Sequence, residues 1–274
     1  MKKNTLIANL DEDKYHSSPE LSKHQLDNFR RAPSYYKAKK EEPDISTAAL
    51  SYGRLFHCAI LEPDELCKRF YVMPQCDKRT KEGKAIFAEA ELAAAGRELV
   101  KEDDFRDAQH MERAMMKNSV IKGLLDEKKQ MHREASLFWT DEKTGNECRS
   151  RLDILRNDEI IIDLKTCQDA DIRSFSRACF NFNYDRQAYF YSKAAETTIS
   201  GYNPRAFVFI VIEKEPPFLC AAYTAPPEMM ALGRQTIRED LQFFAECKKK
   251  DSWPGLREIV QDIEVPEWEK KKLQ

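Results

Sequence analysis

The stretch CRSRLDILRNDEIIIDLKT, residues 148–166, constrains this chain more than any other. It reads as two strands joined by a tight turn at Asn157-Asp158. Residues 147–155 alternate Arg149, Arg151 and Asp153 against Leu152 and Ile154. In 159–165, Ile160, Ile162 and Leu164 point one way, and Ile161, Asp163 and Lys165 point the other. Such a hairpin can bring Asp153 and Asp163 to one sheet face, with Lys165 beside them. A third strand is predicted upstream at 131–139, MHREASLFW, followed by turn chemistry in DEKTGN.

The flanks are predominantly helical. Ser22 is a plausible N-cap for a short helix that turns Leu26 and Phe29 inward and ends before Pro33. Residues 47–61 place Tyr52, Leu55, Phe56, Ala59 and Ile60 at helical spacing, and Gly53 leaves room beside His57. Further helices are expected at 83–95 and 103–118. After the three-strand meander come helices near 171–180 and 184–197, strands at 206–213 and 218–223, and a long helix from Pro227 to Lys249. This order predicts an α/β fold, a mixed central sheet flanked by helices. With no repeat or low-complexity linker, 1–274 is expected to be one domain. Its mainly helical elaboration is 1–125, and its core is 126–268.

Composition narrows the function classes. The 45 basic and 47 acidic residues leave a formal charge of −2, so no uniformly basic coat is available for nucleic acid. A polyanion would have to meet locally clustered charge. Glycine is scarce, 8 of 274, against roughly 7% on average, which disfavours glycine-rich phosphate cradles. The eight cysteines contain no CxxC pair, so zinc ribbons and thioredoxin-like motifs are unsupported. The apolar part of the opening MKKNTLIANL is broken at Asn9, too short for a secretory signal. Nothing approaches the ~20 apolar residues of a membrane span. A cytoplasmic location with reduced thiols follows as the expectation.

Two adjacent carboxylates suit a hard divalent cation such as Mg²⁺, which can activate water and stabilise charge on a phosphate. Lys165 could orient that water or neutralise the developing charge. The plain alternative is a surface strand with an i,i+2 ion pair. His57 could likewise be a satisfied core histidine, and Tyr191 a core aromatic. Arg149 and Arg151 could contact phosphate or make structural ion pairs. The lysine-bearing runs 37–40, 78–84 and 248–250 could line a nucleic-acid path or be solvated faces.

The span 148–166 resembles the core of the PD-(D/E)xK (restriction-endonuclease-like) nuclease superfamily. GRLFHCAILEP (53–63) looks like the G-x-x-x-H…LEP helix of its RecB-like branch, and RQAYFY (186–191) resembles that branch's Q-x-x-x-Y motif. KHQLDNFRRAPSYYK (23–37) is similar to the opening of RecE (exonuclease VIII) nuclease domains. The resemblance implies that His57, Asp153, Asp163 and the Leu164 carbonyl hold Mg²⁺, with Mn²⁺ able to substitute. It makes Lys165 the catalytic lysine and places Gln187, Tyr191 and Glu134 beside the site. It further implies an exodeoxyribonuclease acting 5′ to 3′ on double-stranded DNA ends. Its 3′ tails would pass to a RecT-like single-strand annealing protein, and its assembly would be a toroidal homotetramer. The cysteines lack the arrangement by which some relatives hold an iron–sulfur cluster, so none is expected. Two other functions stay open: a structure- or site-specific endonuclease of the same superfamily, and a DNA-binding subunit without catalysis.

Overall fold

A computed structural model of the chain describes residues 4–42, 47–265 and 270–271. The opening Met1–Lys3 and the far end of the expected core, 266–268, lie outside the described residues. Six strands form the central sheet: β1 (Thr5–Ile7), β4 (Met131–Thr140), β5 (Glu147–Arg156), β6 (Ile160–Cys167), β7 (Ala206–Glu213) and β8 (Cys220–Thr224). Their spatial order is β1-β4-β5-β6-β7-β8, with β6 and β7 parallel and the other neighbours antiparallel. The parallel pair needs a crossover, supplied by α9 (Ile172–Asn181) and α10 (Tyr184–Thr198). The fold is therefore α/β, a mixed sheet flanked by helices.

Both sheet faces are apolar, and each is covered. On one lie α2 (Lys23–Arg31), α10 and α11 (Pro227–Lys250), over a core that includes Leu26, Phe29, Leu137, Leu152, Ile161, Phe190, Phe209 and Leu241. On the other lie α4 (Ala48–Leu61), α7 (Glu102–Lys117) and α8 (Ser119–Leu124), enclosing Phe56, Met111, Met115, Ile154, Ile162, Leu164 and Ile210. Ser22 caps α2 as its sequence suggests, in a full capping box with Gln25. Pro33 ends that helix and opens the next, α3 (Pro33–Glu41), at a position where a missing N–H costs nothing. The other helices are α1 (Glu12–His16), α5 (Leu66–Arg69) and α6 (Lys81–Ala94).

The first 125 residues are not wholly helical. β1 adds to the edge of the main sheet, and β2 (Phe70–Met73) pairs in parallel with β3 (Glu98–Lys101) in a separate ribbon. Strands of three or four residues carry too few alternations for a period-two signal. No described helix is long and apolar enough to cross a membrane.

Candidate metal centre and active site

The period-two pattern that sequence suggests for β5 fails at one point, and the site is built there. On β4, Met131 packs towards α4 and α7, and Arg133 donates to the Ile60 and Leu61 carbonyls of α4. Ala135, Leu137 and Trp139, of the same parity, face the opposite core. On β5, Ile154 and Leu152 divide in the same way. The register pairs Arg133 with Ile154 and Ala135 with Leu152, while Glu134 and Asp153, opposite each other between them, are unpaired. Glu134 sits at φ +48°, a left-handed conformation rare for a non-glycine residue and worth about 1–3 kcal/mol of strain. The sheet reverses its faces across these two carboxylates.

Strands β5 and β6 part at the same level. Their ladder is Ile154–Ile162 and Leu155–Ile161, so the Leu164 N–H loses its backbone partner. The Asp153 carboxylate takes that place, accepting from Leu164 N at 2.7 Å. Into the gap α4 inserts His57, whose Nε2 lies 3.1 Å from the Leu164 carbonyl and whose Nδ1 lies 3.7 Å from Asp153 Oδ2. Beyond the backbone of its own helix, no atom lies within 4 Å of where a Gly53 side chain would begin.

His57, Glu134 and Asp153 each offer a ligand atom within 4.8 Å of the others. Mg²⁺ takes its ligands at about 2.0–2.1 Å, so the three groups would draw inward to share one ion. Two carboxylates fit Mg²⁺, and the imidazole fits Mn²⁺ as well. The Leu164 carbonyl lies on the same gap. Asp163, expected as a ligand, lies outside this trio and meets side chains of β6 and α10. It accepts from Gln187 Nε2 at 2.6 Å and pairs with Lys165 Nζ at 2.5 Å. Tyr191 stands one turn on from Gln187 on the same helix face. The Lys165 ammonium stands 4.8 Å from the Tyr184 ring centre.

Charge explains why the centre calls for a cation. Burial and the neighbouring Asp153 push the Glu134 carboxyl up to about 8, despite Arg151. Burial raises Asp153 too, against the pull of Lys165 and the Leu164 N–H. Asp163 is pushed up to about 6 by burial, although Lys165 opposes it. Burial, followed by Lys165, drives the His57 imidazole down to about 4, leaving it neutral and fit to ligate. Burial works against the Lys165 ammonium, yet Asp163 and Asp153 outweigh it and hold it above its usual value.

Sequence reasoning placed Arg149 and Arg151 on the Asp153 face. The structure gives both of them protein partners, and Arg151 stays beside the carboxylates. Arg149 is buried, donates to the Ser18 carbonyl and packs on the Tyr15 ring. Arg151 donates to the Leu10 carbonyl and to Ser136 Oγ, and stands 3.6 Å from Glu134. Both hold the N-terminal segment against the sheet. The lysine runs lie elsewhere: Lys248–Lys250 end α11, where positive charge suits the helix dipole, and Lys78 covers the Phe87 ring. Glu134 joins His57 and Asp153 in the group that could hold an ion. In the sequence it is singled out by the resemblance alone, since it follows two other polar residues, His132 and Arg133.

No curated protein matches the sequence significantly. The crystal structure of a candidate exonuclease from Eubacterium rectale superposes with a TM-score of 0.58 at 10% identity, covering 96% of this chain and 98% of that one. At that identity the likeness shows a shared fold. An alkaline exonuclease from Laribacter hongkongensis overlaps 64% of this chain and 87% of its own length, at 10% identity and a TM-score of 0.29, too loose to carry an argument. Residues 22–264 match one family over its PDDEXK-like domain, so the chain belongs to the PDDEXK-like domain of unknown function family, DUF3799.

Proposed function

We propose that this protein is a divalent-metal-dependent exodeoxyribonuclease that digests linear double-stranded DNA from 5′ ends and leaves 3′ single-stranded tails. The observation that carries the proposal is the convergence of His57, Glu134 and Asp153 within 4.8 Å, beside the Asp163–Lys165 pair, in a PDDEXK-like fold. Those three side chains and the Leu164 carbonyl would hold Mg²⁺, or Mn²⁺ in its place. When bound, the metal supplies a more acidic water and positive charge for the phosphate oxygens. Lys165, close enough for its charge to act on His57 and Asp153, would stabilise negative charge growing on the phosphoryl group. Gln187 keeps Asp163 turned toward Lys165, and Tyr191 would stand beside it.

The exonuclease reading, rather than an endonuclease one, rests on the sequence resemblance to RecE-like domains and on the name borne by the Eubacterium rectale neighbour. A RecT-like annealing protein is the partner that 3′ tails would require. An unpartnered apolar run, with Leu256, Ile259, Val260 and Ile263 mostly exposed, favours a homo-oligomer, and a cytoplasmic location suits a DNA substrate. The test is linear duplex labelled at the 5′ or the 3′ end, incubated with protein and Mg²⁺, with closed circular DNA as control. Early release of the 5′ label and intact circles are expected. Cut circles would replace the reading with the endonuclease, and untouched linear DNA would refute both.

A further inference from the structure

Helix α9 and the turn after it expose an arrangement that the site chemistry leaves unused. Phe175 and Cys179 bury one side of α9. Arg173, Arg177 and Phe180, spaced four and three apart, share the opposite, exposed side. Phe180 is 53% exposed and Phe182, just past the helix, is 62% exposed. Among the described residues neither guanidinium has an acidic partner. The nearby acids are occupied as caps: Asp171 accepts from the Arg173 N–H, and Asp169 accepts from the Asp171 N–H and Ser174 Oγ. Exposed rings on a mobile loop would be unremarkable, but this turn is held. Lys23 donates to the Phe182 carbonyl at 3.3 Å, and Asn183 adopts a left-handed conformation at φ +56° that starts α10.

The patch is continuous with the site. The Phe182 ring centre lies 5.8 Å from that of Tyr184, and the Tyr184 ring is the one beside Lys165 Nζ. We infer that this α9 face binds the single-stranded portion of a frayed or resected DNA end. Phe180 and Phe182 stack bases, and Arg173 and Arg177 hold the adjoining phosphates. Charge complementarity and the two rigid rings select this occupant, because bases stack on aromatic faces and backbone phosphates need cations. Continuity with the Lys165 site through Tyr184 favours a nucleic-acid strand over a protein partner. The inference rests on the nuclease reading above, and deepens it by naming where the strand lies.

The test is fluorescence anisotropy in EDTA, so that nothing is cut, with a labelled duplex carrying a single-stranded overhang and the same duplex blunt-ended. Phe182→Ala should weaken overhang binding about tenfold and blunt binding much less, with Phe182→Leu behaving like the alanine variant. Arg173→Ala/Arg177→Ala should weaken binding and lower the salt slope by about 1.4, at about 0.7 per phosphate on a single strand. Arg234→Ala, an exposed arginine on α11, is the control for unspecific loss of charge. Circular dichroism confirms that each variant is folded. Wild-type affinity in the α9 variants, an equal loss with Arg234→Ala, or restoration by leucine would overturn the inference. If the wild-type protein cuts linear DNA while the α9 variants bind normally, the inference fails and the nuclease reading stands. If the wild-type protein neither binds nor cuts DNA, the nuclease reading itself has failed.

Discussion

At the scale of single residues, Lys165 and Asp163 are mutually dependent. A buried carboxylate whose carboxyl is already pushed up to about 6 keeps its charge because an ammonium stands 2.5 Å away. Lys165→Ala is expected to lower DNA cleavage by about 10²–10³-fold or more. It should also destabilise the fold by about 3–5 kcal/mol, because one buried charge loses its partner. Single-turnover cleavage and urea denaturation measure the two effects separately. Gln187→Ala removes one donor from Asp163 and should cost about 1–3 kcal/mol. Cleavage should fall less than with Lys165→Ala. Equal losses in the two variants would show that Gln187 does more than orient its neighbour. For the metal, millimolar Mg²⁺ or Mn²⁺ should raise the melting temperature of the wild-type protein, since a ligand of the folded state stabilises it. The shift should vanish in Glu134→Gln/Asp153→Asn, as seen by differential scanning fluorimetry. A persistent shift would place the ion elsewhere.

At the scale of elements, the position of α10 decides where Gln187 and Tyr191 stand, and two devices fix it. Arg186, 1% exposed, reaches Asp27 of α2 at 2.8 Å and Asp240 of α11 at 2.7 Å. The second contact is a close ion pair whose alignment falls short of a hydrogen bond. Arg30 reinforces it from α2, at 2.9 Å from Asp240. Gly233 lets α11 approach closely, since a Cβ there would lie 2.1 Å from the Asp185 carbonyl oxygen of α10. Gly233→Ala should therefore destabilise by about 1–3 kcal/mol or more and reduce cleavage by displacing Gln187. Thermal melts and activity of the same preparation check it, and an unchanged melting temperature would contradict the packing argument. Arg186→Lys should not rescue Arg186→Ala, because one ammonium cannot replace a guanidinium shared between two carboxylates.

At the scale of the whole molecule, His57 and Glu134 sit far apart in sequence, on a helix of the N-terminal region and on a strand of the core. The N-terminal region also covers one entire sheet face through α4, α7 and α8. We therefore treat the chain as one folding unit. The expected outcome is a single cooperative unfolding transition, and failure of a fragment beginning at residue 126 to fold alone. Two separate calorimetric transitions would break this view. If the exposed apolar run near Val260 is an oligomer contact, Ile259→Asp/Val260→Asp should shift the light-scattering mass toward the monomer.

Much of this was legible in the sequence. The alternation in 147–165, the turn at Asn157-Asp158 and the caps at Ser22 and Pro33 are local signals, because a strand or helix end is dictated by neighbours within a few residues. They foretold the central strands and α2, α10 and α11 to within a few residues, and they singled out Asp153, Asp163 and Lys165. Three things were beyond local pattern. The face reversal at Glu134 and Asp153 depends on how β4, β5 and β6 pair, so local alternation could not show that Arg149 and Arg151 reach the Ser18 and Leu10 carbonyls. The grouping of His57 with Glu134 and Asp153 depends on a contact across dozens of residues. The different partners of the two carboxylates, with Asp153 beside His57 and the Leu164 N–H and Asp163 beside Lys165 and Gln187, follow from the parting of strands β5 and β6. Sequence determined which charged groups had to be buried. Tertiary structure decided which of them face one another, because only packing brings distant carboxylates close enough for their charges to demand a cation.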